Sequence, residues 1–196
     1  FDKLHVESPV YYIAPAEGGL GALARAAERP DLPADLAAQR KKTAGKLPLV
    51  LGNETLRHFA YVRFDFPARA VELSSTRAYK PADAAAVAAN LPMLDWRGRP
   101  AVQAALAGEP LLLVLDTAGD FDLVVPGAPA TANRAELALG ARATAAVDVA
   151  AAADVGLPAE FPARLGLGVL AEYAVVFDYQ NRRVWFENPA VAAAET

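Results

Sequence analysis

The chain has 196 residues, 54% of them hydrophobic and 21% charged, with a formal net charge of −4; this is enough apolar material for one compact domain or two small lobes. Mild acidity argues against nucleic-acid and anionic-membrane partners, which select clustered Lys and Arg, and no apolar run reaches the roughly 18–20 residues that span a bilayer. Cysteine is absent, which excludes disulfides and thiolate chemistry but leaves the compartment open.

The first residue is Phe1 rather than methionine. Removal of a signal peptide would explain this and sets the expectation of an extracytoplasmic location, periplasmic or secreted; simple trimming of the chain is the other explanation. The first half opens on Leu4-His5-Val6-Glu7-Ser8-Pro9 and an apolar run, Val10-Tyr11-Tyr12-Ile13. Residues 19–28 form an Ala/Leu-rich helix candidate. Residues 30–45 are polar and proline-punctuated, and their Arg40-Lys41-Lys42 reads as a solvated loop ahead of a docking site for an acidic partner.

Next comes Leu51-Gly52, a short segment carrying Leu56 and Phe59, a strand into Phe64-Asp65-Phe66, a turn with Arg69, and a second strand through Val71. The same order returns far downstream. Leu51, Gly52, Leu56, Phe59 and Ala60 match Leu165, Gly166, Leu170, Tyr173 and Ala174 at one offset; Phe64, Asp65, Arg69 and Val71 match Phe177, Asp178, Arg182 and Val184 at an offset one residue smaller. An internal repeat outranks other organising signals. The extra residue in the first copy reads as a β-bulge, and Asp65 and Asp178 read as turn acids of two equivalent hairpins.

Between the copies, residues 76–90 read as a connector with a short helix over 81–89, proline near its start. Residues 91–96, 100–106 and 111–115 read as strands, with Arg97-Gly98-Arg99 and Ala107-Gly108-Glu109-Pro110 as turns. Residues 135–149 read as a hairpin about Gly140-Ala141. Trp96 and Trp185 fall in strands and read as packing residues.

The run Leu111-Leu112-Leu113-Val114-Leu115 is apolar on both faces, the pattern of a strand buried on both sides. It carries Asp116 to its end. Thr117-Ala118-Gly119-Asp120 follow as a tight turn, and Leu123-Val124-Val125 begins a second apolar run.

Leu115-Asp116-Thr117-Ala118-Gly119 resembles the signature of the retropepsin-like and pepsin-like aspartic proteases: apolar-apolar-Asp-Thr/Ser-Gly and a small residue, set between two strands. Ala118 stands where that family has its first glycine, a departure that matters because alanine tolerates fewer backbone conformations. The resemblance implies that Asp116 is a catalytic aspartate and that Thr117 braces two such loops against each other. It also implies that Leu165-Gly166 closes the loop beneath the aspartate, Gly52 being the corresponding glycine of the first copy. The fold it implies is mainly β and bilobal: two duplicated β-barrel-like lobes with short helices, residues 1–75 and 91–190, joined by a linker over 76–90.

Peptide hydrolysis in that family needs two carboxylates sharing one proton around a water, since like charges so close cannot both ionise. Aligning the apolar pattern of the first half puts His5 opposite Asp116 and Val6 opposite Thr117, so this half looks like a lobe that has lost its acid. Activity then requires a second Asp116 from a homodimer or an acid ahead of Phe1. Otherwise the chain is an inactive relative that holds a peptide or protein in its cleft. His5 reads either as an ion-pair or acid–base partner of Asp116 or as an ordinary half-buried or surface histidine, the second reading standing ahead; His58 reads as a surface residue of a short helix. Two distant histidines without HExxH spacing, and no phosphate- or dinucleotide-binding glycine motif, give an expectation of no metal and no cofactor. The expected partner is an extended peptide or protein substrate.

Overall fold

The computed structural model describes residues 52–128, 133–141, 143–152 and 160–189. The chain divides into two units, Phe1–Thr55 and Leu56–Thr196. In the first, residues 52–55 are described; His5, the helix candidate over 19–28 and the polar stretch over 30–45 lie outside the described residues.

In chain order the elements are α1 (Asn53–Leu56), β1 (Tyr61–Asp65), β2 (Ala70–Ser74), a single 3-10 turn (Ala84–Ala86), β3 (Val87–Pro92), β4 (Leu94–Trp96), β5 (Arg99–Leu106), β6 (Glu109–Leu115), β7 (Leu123–Val125), β8 (Asn133–Ala138), β9 (Thr144–Ala151), β10 (Ala163–Leu165), α2 (Leu167–Leu170), β11 (Ala174–Asp178) and β12 (Arg183–Glu187). The second unit is mainly β. Six strands in the order β5-β6-β10-β7-β9-β8 close into a barrel through a β5–β8 pairing, with β4 hydrogen-bonded outside β5. A second sheet has the order β2-β1-β11-β12-β3.

Barrel and sheet share one core. Alternate residues of the barrel strands, among them Val102, Leu113, Leu115, Leu123 and Leu165, pack with Val175, Phe177, Val184 and Phe186 of the sheet. The strand β6, read from its apolar run, is fully buried at its end from Leu113 to Leu115. The hairpin expected over 135–149 is formed by β8 and β9, with Gly140 at φ 78° beyond β8.

The two hairpins of the repeat are the same structure twice. Adding 113 to the β1–β2 register, Tyr61↔Ser74 through Asp65↔Ala70, gives the β11–β12 register, Ala174↔Glu187 through Asp178↔Arg183. Arg69 and Arg182, also 113 apart, both sit at φ 54°. Asp65 Oδ1 accepts the Ala68 N–H at 3.0 Å and Asp178 Oδ1 accepts the Asn181 N–H at 3.0 Å, so both acids hold their own turns. The strands β1 and β11 pair antiparallel from Tyr61↔Asp178 to Asp65↔Ala174; shifting that register by 113 returns the same set of pairs, so the two copies meet about a local twofold. The preceding segments repeat as well: Phe59 N–H donates to Leu56 O, and Tyr173 N–H to Leu170 O, each at 3.1 Å.

The extra residue of the first copy is not a bulge. Register makes Tyr61, rather than Ala60, the counterpart of Ala174, so Ala60 itself is the insertion, placed in the bend before β1. The helix expected over 81–89 is reduced to the 3-10 turn, capped by Asp83 Oδ1 accepting the Ala85 N–H at 2.8 Å. From Val87 the chain pairs with β12 instead, and ladder pairing overrides the helix preference of an alanine run. Part of the expected linker over 76–90 is therefore a sheet strand.

Candidate functional site

The loop carrying Asp116 is organised by three strands. The chain leaves the barrel wall at the end of β6, crosses residues 116–122 and re-enters as β7. Between these two strands lies β10, parallel to β6 and antiparallel to β7. A strand inserted there has backbone groups facing the loop from beneath, and they are used. Asp116 N–H donates to Leu165 O at 2.9 Å, Gly166 N–H to Asp122 O at 2.9 Å, Leu167 N–H to Gly119 O at 2.8 Å and Gly168 N–H to Phe121 O at 3.0 Å. Gly166 has to be a glycine: a Cβ there would run into the Phe121 carbonyl oxygen and lie 2.9 Å from Gly119 O.

Asp116 is directed by this framework rather than by its own flexibility. Its Oδ1 accepts the Ala118 N–H at 3.1 Å, a short local turn, while its backbone oxygen accepts the Gly119 N–H at 3.1 Å. Neither Ala118 nor Gly119 is among the residues at positive φ, so alanine in place of the glycine puts no strain on this loop. Thr117 is half-buried, Ala118 exposed and Gly119 buried. Gly52 is exposed and its carbonyl accepts the Thr55 N–H at 3.0 Å, in the place that Gly166 takes ahead of α2. His5 lies outside the described residues. His58 is exposed, just past α1.

The partner of Asp116 is Arg164, a residue not singled out from the sequence. Arg164 Nη1 donates to Asp116 Oδ2 at 3.1 Å, with the two side chains 14% and 22% exposed. Strand alternation explains the meeting. Leu115 and Leu165 point into the barrel core and pair with each other, so Asp116 and Arg164, one residue to either side, face the opposite way. Arg164 also lies over a ring, Phe161, that belongs to a wider aromatic and cationic cluster. Its Cζ lies 4.8 Å from the Phe161 ring centroid, Phe161 packs on Trp96 at 4.9 Å, and Arg97 and Arg99 lie 5.0 and 5.8 Å from Trp96. Trp96 is thus a platform for guanidinium groups as well as a packing residue. Arg164 Nε is buried without a hydrogen-bond acceptor.

Chemically, this is a carboxylate with a donor on each oxygen, one of them a fixed cation, set beside a patch of guanidinium groups on aromatic faces. Charge-assisted pairs of this kind fix orientation more firmly than neutral hydrogen bonds. A carboxylate so held can bind or polarise a ligand by itself, whereas acid–base hydrolysis calls for a second proton carrier. One clue to Arg164 was present in the sequence: a lone charge inside Ala163-Arg164-Leu165, directly ahead of the loop-closing glycine. No family model matches this chain, and no curated protein matches it.

Proposed function

We propose that this chain is an aspartic-peptidase-like protein in which Asp116 is one member of a carboxyl pair that hydrolyses peptide bonds in an extended polypeptide. The observation that carries the reading is the clamp on the Asp116 loop. The acid stands at the end of a buried strand, and the amides of Gly166, Leu167 and Gly168 hold the loop from beneath, at the Leu-Gly that the resemblance assigns to this task. The twofold repeat of the hairpins supports it further, because a duplicated plan is what brings two such loops together. Asp116 and a second carboxyl, from another copy or another part of the protein, share the acid and base roles of the pair. In this reading Thr117 braces the two loops, the role the resemblance implies for it.

One observation favours a second reading, a non-catalytic module that binds a peptide or protein segment at the same loop. Arg164 already occupies Asp116 Oδ2, where a shared proton would otherwise be passed. Hydrolysis of unfolded polypeptide at acidic pH separates the two. The peptidase reading predicts cleavage that pepstatin inhibits and that Asp116→Asn lowers at least a hundredfold, the usual weight of a general acid–base group. Binding without cleavage, weakened by Asp116→Asn, favours the module. Cleavage unchanged in Asp116→Asn contradicts the peptidase reading.

A further inference from the structure

We propose that Arg97 and Arg99, held on the faces of Trp96 and Phe161 beside the Asp116–Arg164 pair, form a subsite for an acidic side chain of the bound polypeptide. This deepens the reading of the Asp116 loop as a polypeptide site and rests on it.

Four observations converge. First, both arginines are exposed, and among the described residues neither has an ion-pair partner. Second, neither is a loose surface cation. Arg99 Cζ lies 5.7 Å from the Phe161 ring and 5.8 Å from the Trp96 ring, and Arg97 Cζ lies 5.0 Å from Trp96. A guanidinium seated on a ring keeps its N–H fork in the ring plane's neighbourhood and loses less freedom when it takes a carboxylate. Third, the one acid of the same hairpin is spent elsewhere. Asp95 Oδ1 accepts the Gly98 N–H at 2.9 Å, and strand alternation turns Asp95 away from the face that carries Trp96. Fourth, the cluster keeps an unmatched donor, the buried Arg164 Nε, which costs stability until an acceptor reaches it.

Placement ties this cluster to the candidate site. Arg99 begins β5, whose register against β6 runs Ala101↔Val114, so continuing the ladder brings Arg99 opposite Asp116. Arg164 bridges the two, touching Asp116 on one side and Phe161 on the other. A chain laid across Asp116 would therefore present one of its neighbouring side chains to Arg97 and Arg99. Single-stranded nucleic acid fits less well, because the two rings pack against each other at 4.9 Å with their planes tilted by 57° and already carry the guanidinium groups, rather than offering open faces for bases.

The test uses two extended peptides alike in every position except one, which holds Glu in the first and Gln in the second, the position being moved along the peptide in turn. Binding is measured directly by fluorescence anisotropy at two salt concentrations. The expected result is a position at which Glu binds about tenfold more tightly than Gln, as one charge-assisted contact gives. That preference should shrink at high salt, vanish in the Arg97→Gln/Arg99→Gln variant, and return in part in Arg97→Lys/Arg99→Lys, which restores charge without the planar fork. Equal binding of Glu and Gln at every position, or a preference that survives the Gln variant, overturns the subsite while leaving the polypeptide site intact. Failure of all peptides to bind overturns both. A single-stranded oligonucleotide that binds more tightly than any Glu peptide, through the same arginines, also overturns the assignment.

Discussion

Gly166 shows how far one residue controls the candidate site. Its N–H donates to Asp122 O at 2.9 Å, and a Cβ at this position would collide with the Phe121 ring and with the Phe121 and Gly119 carbonyl oxygens; the ring can swing aside, the backbone of the loop cannot. Gly166→Ala therefore has to push residues 119–121 away from α2. Forced overpacking of this kind costs about 1–3 kcal/mol, and urea unfolding should find a loss in that range together with loss of whatever activity or binding the loop has. Ala118→Gly, by contrast, changes an exposed residue that needs no positive φ, so it should leave the site unchanged. The Asp-Thr-Ala-Gly loop and the Leu-Gly beneath it were legible in the sequence, since small residues between two apolar runs leave few alternatives. Arg164 was not. It belongs to a three-residue strand with no periodicity of its own, and it reaches Asp116 across 48 positions through the register of β10 on β6.

At the scale of elements, the repeated hairpin was the most legible feature. Phe, Asp, Arg and Val recur at fixed spacing because each copy needs a ring packed on the core, a turn-holding carboxylate and a left-handed turn residue in the same order. The left-handed residue is costly where it is not glycine, by about 1–2 kcal/mol for an L-residue. Arg182, at φ 54°, is exposed, and its backbone oxygen, which accepts the Met93 N–H at 2.8 Å, is indifferent to the side chain. Arg182→Gly should therefore raise stability by up to about 1 kcal/mol, visible as a higher midpoint of thermal unfolding; Arg69→Gly, at the equivalent turn, should act in the same direction. A drop in midpoint would mean that the arginine side chain contributes more than its backbone costs. The short helix expected before β3 failed for the opposite reason. Alanine favours helix weakly, and pairing of β3 with the buried β12 outweighs it.

Across the whole molecule, the second sheet packs one face on the barrel core and carries a polar and aromatic cluster on the other. Tyr79 Oη donates to Glu187 Oε1 at 2.5 Å, Arg63 reaches Glu187 Oε2 at 3.5 Å, and Tyr79 stands edge-on to Tyr61 and Trp185. Burial, then the bond to Glu187, pushes the Tyr79 phenol well above its ordinary range, and burial alone does the same for Tyr179. Below about pH 10 these phenols are protonated in both folded and unfolded states and contribute nothing to pH dependence. Above it the unfolded chain ionises first while the native chain keeps its protons, so stability falls as pH rises. Ultraviolet titration should show part of the tyrosinate signal appearing only together with loss of near-ultraviolet dichroism. Full ionisation with the fold intact would contradict the burial. The mainly β character and the shared apolar core were legible from alternation and apolar runs; the closure of the barrel was not, because the β5–β8 pairing joins residues far apart at Ala105↔Ala138 and Leu106↔Leu137 with no local signal for it.

The Asp116 loop is the proposed binding place for a polypeptide. Hydrogen exchange read by mass spectrometry, with and without saturating pepstatin, tests that most directly. Slowed exchange confined to residues 116–122, 165–168 and the turn at Arg97–Arg99 is the predicted result; unchanged exchange there, or protection found only on another face such as the β2 edge, would contradict it.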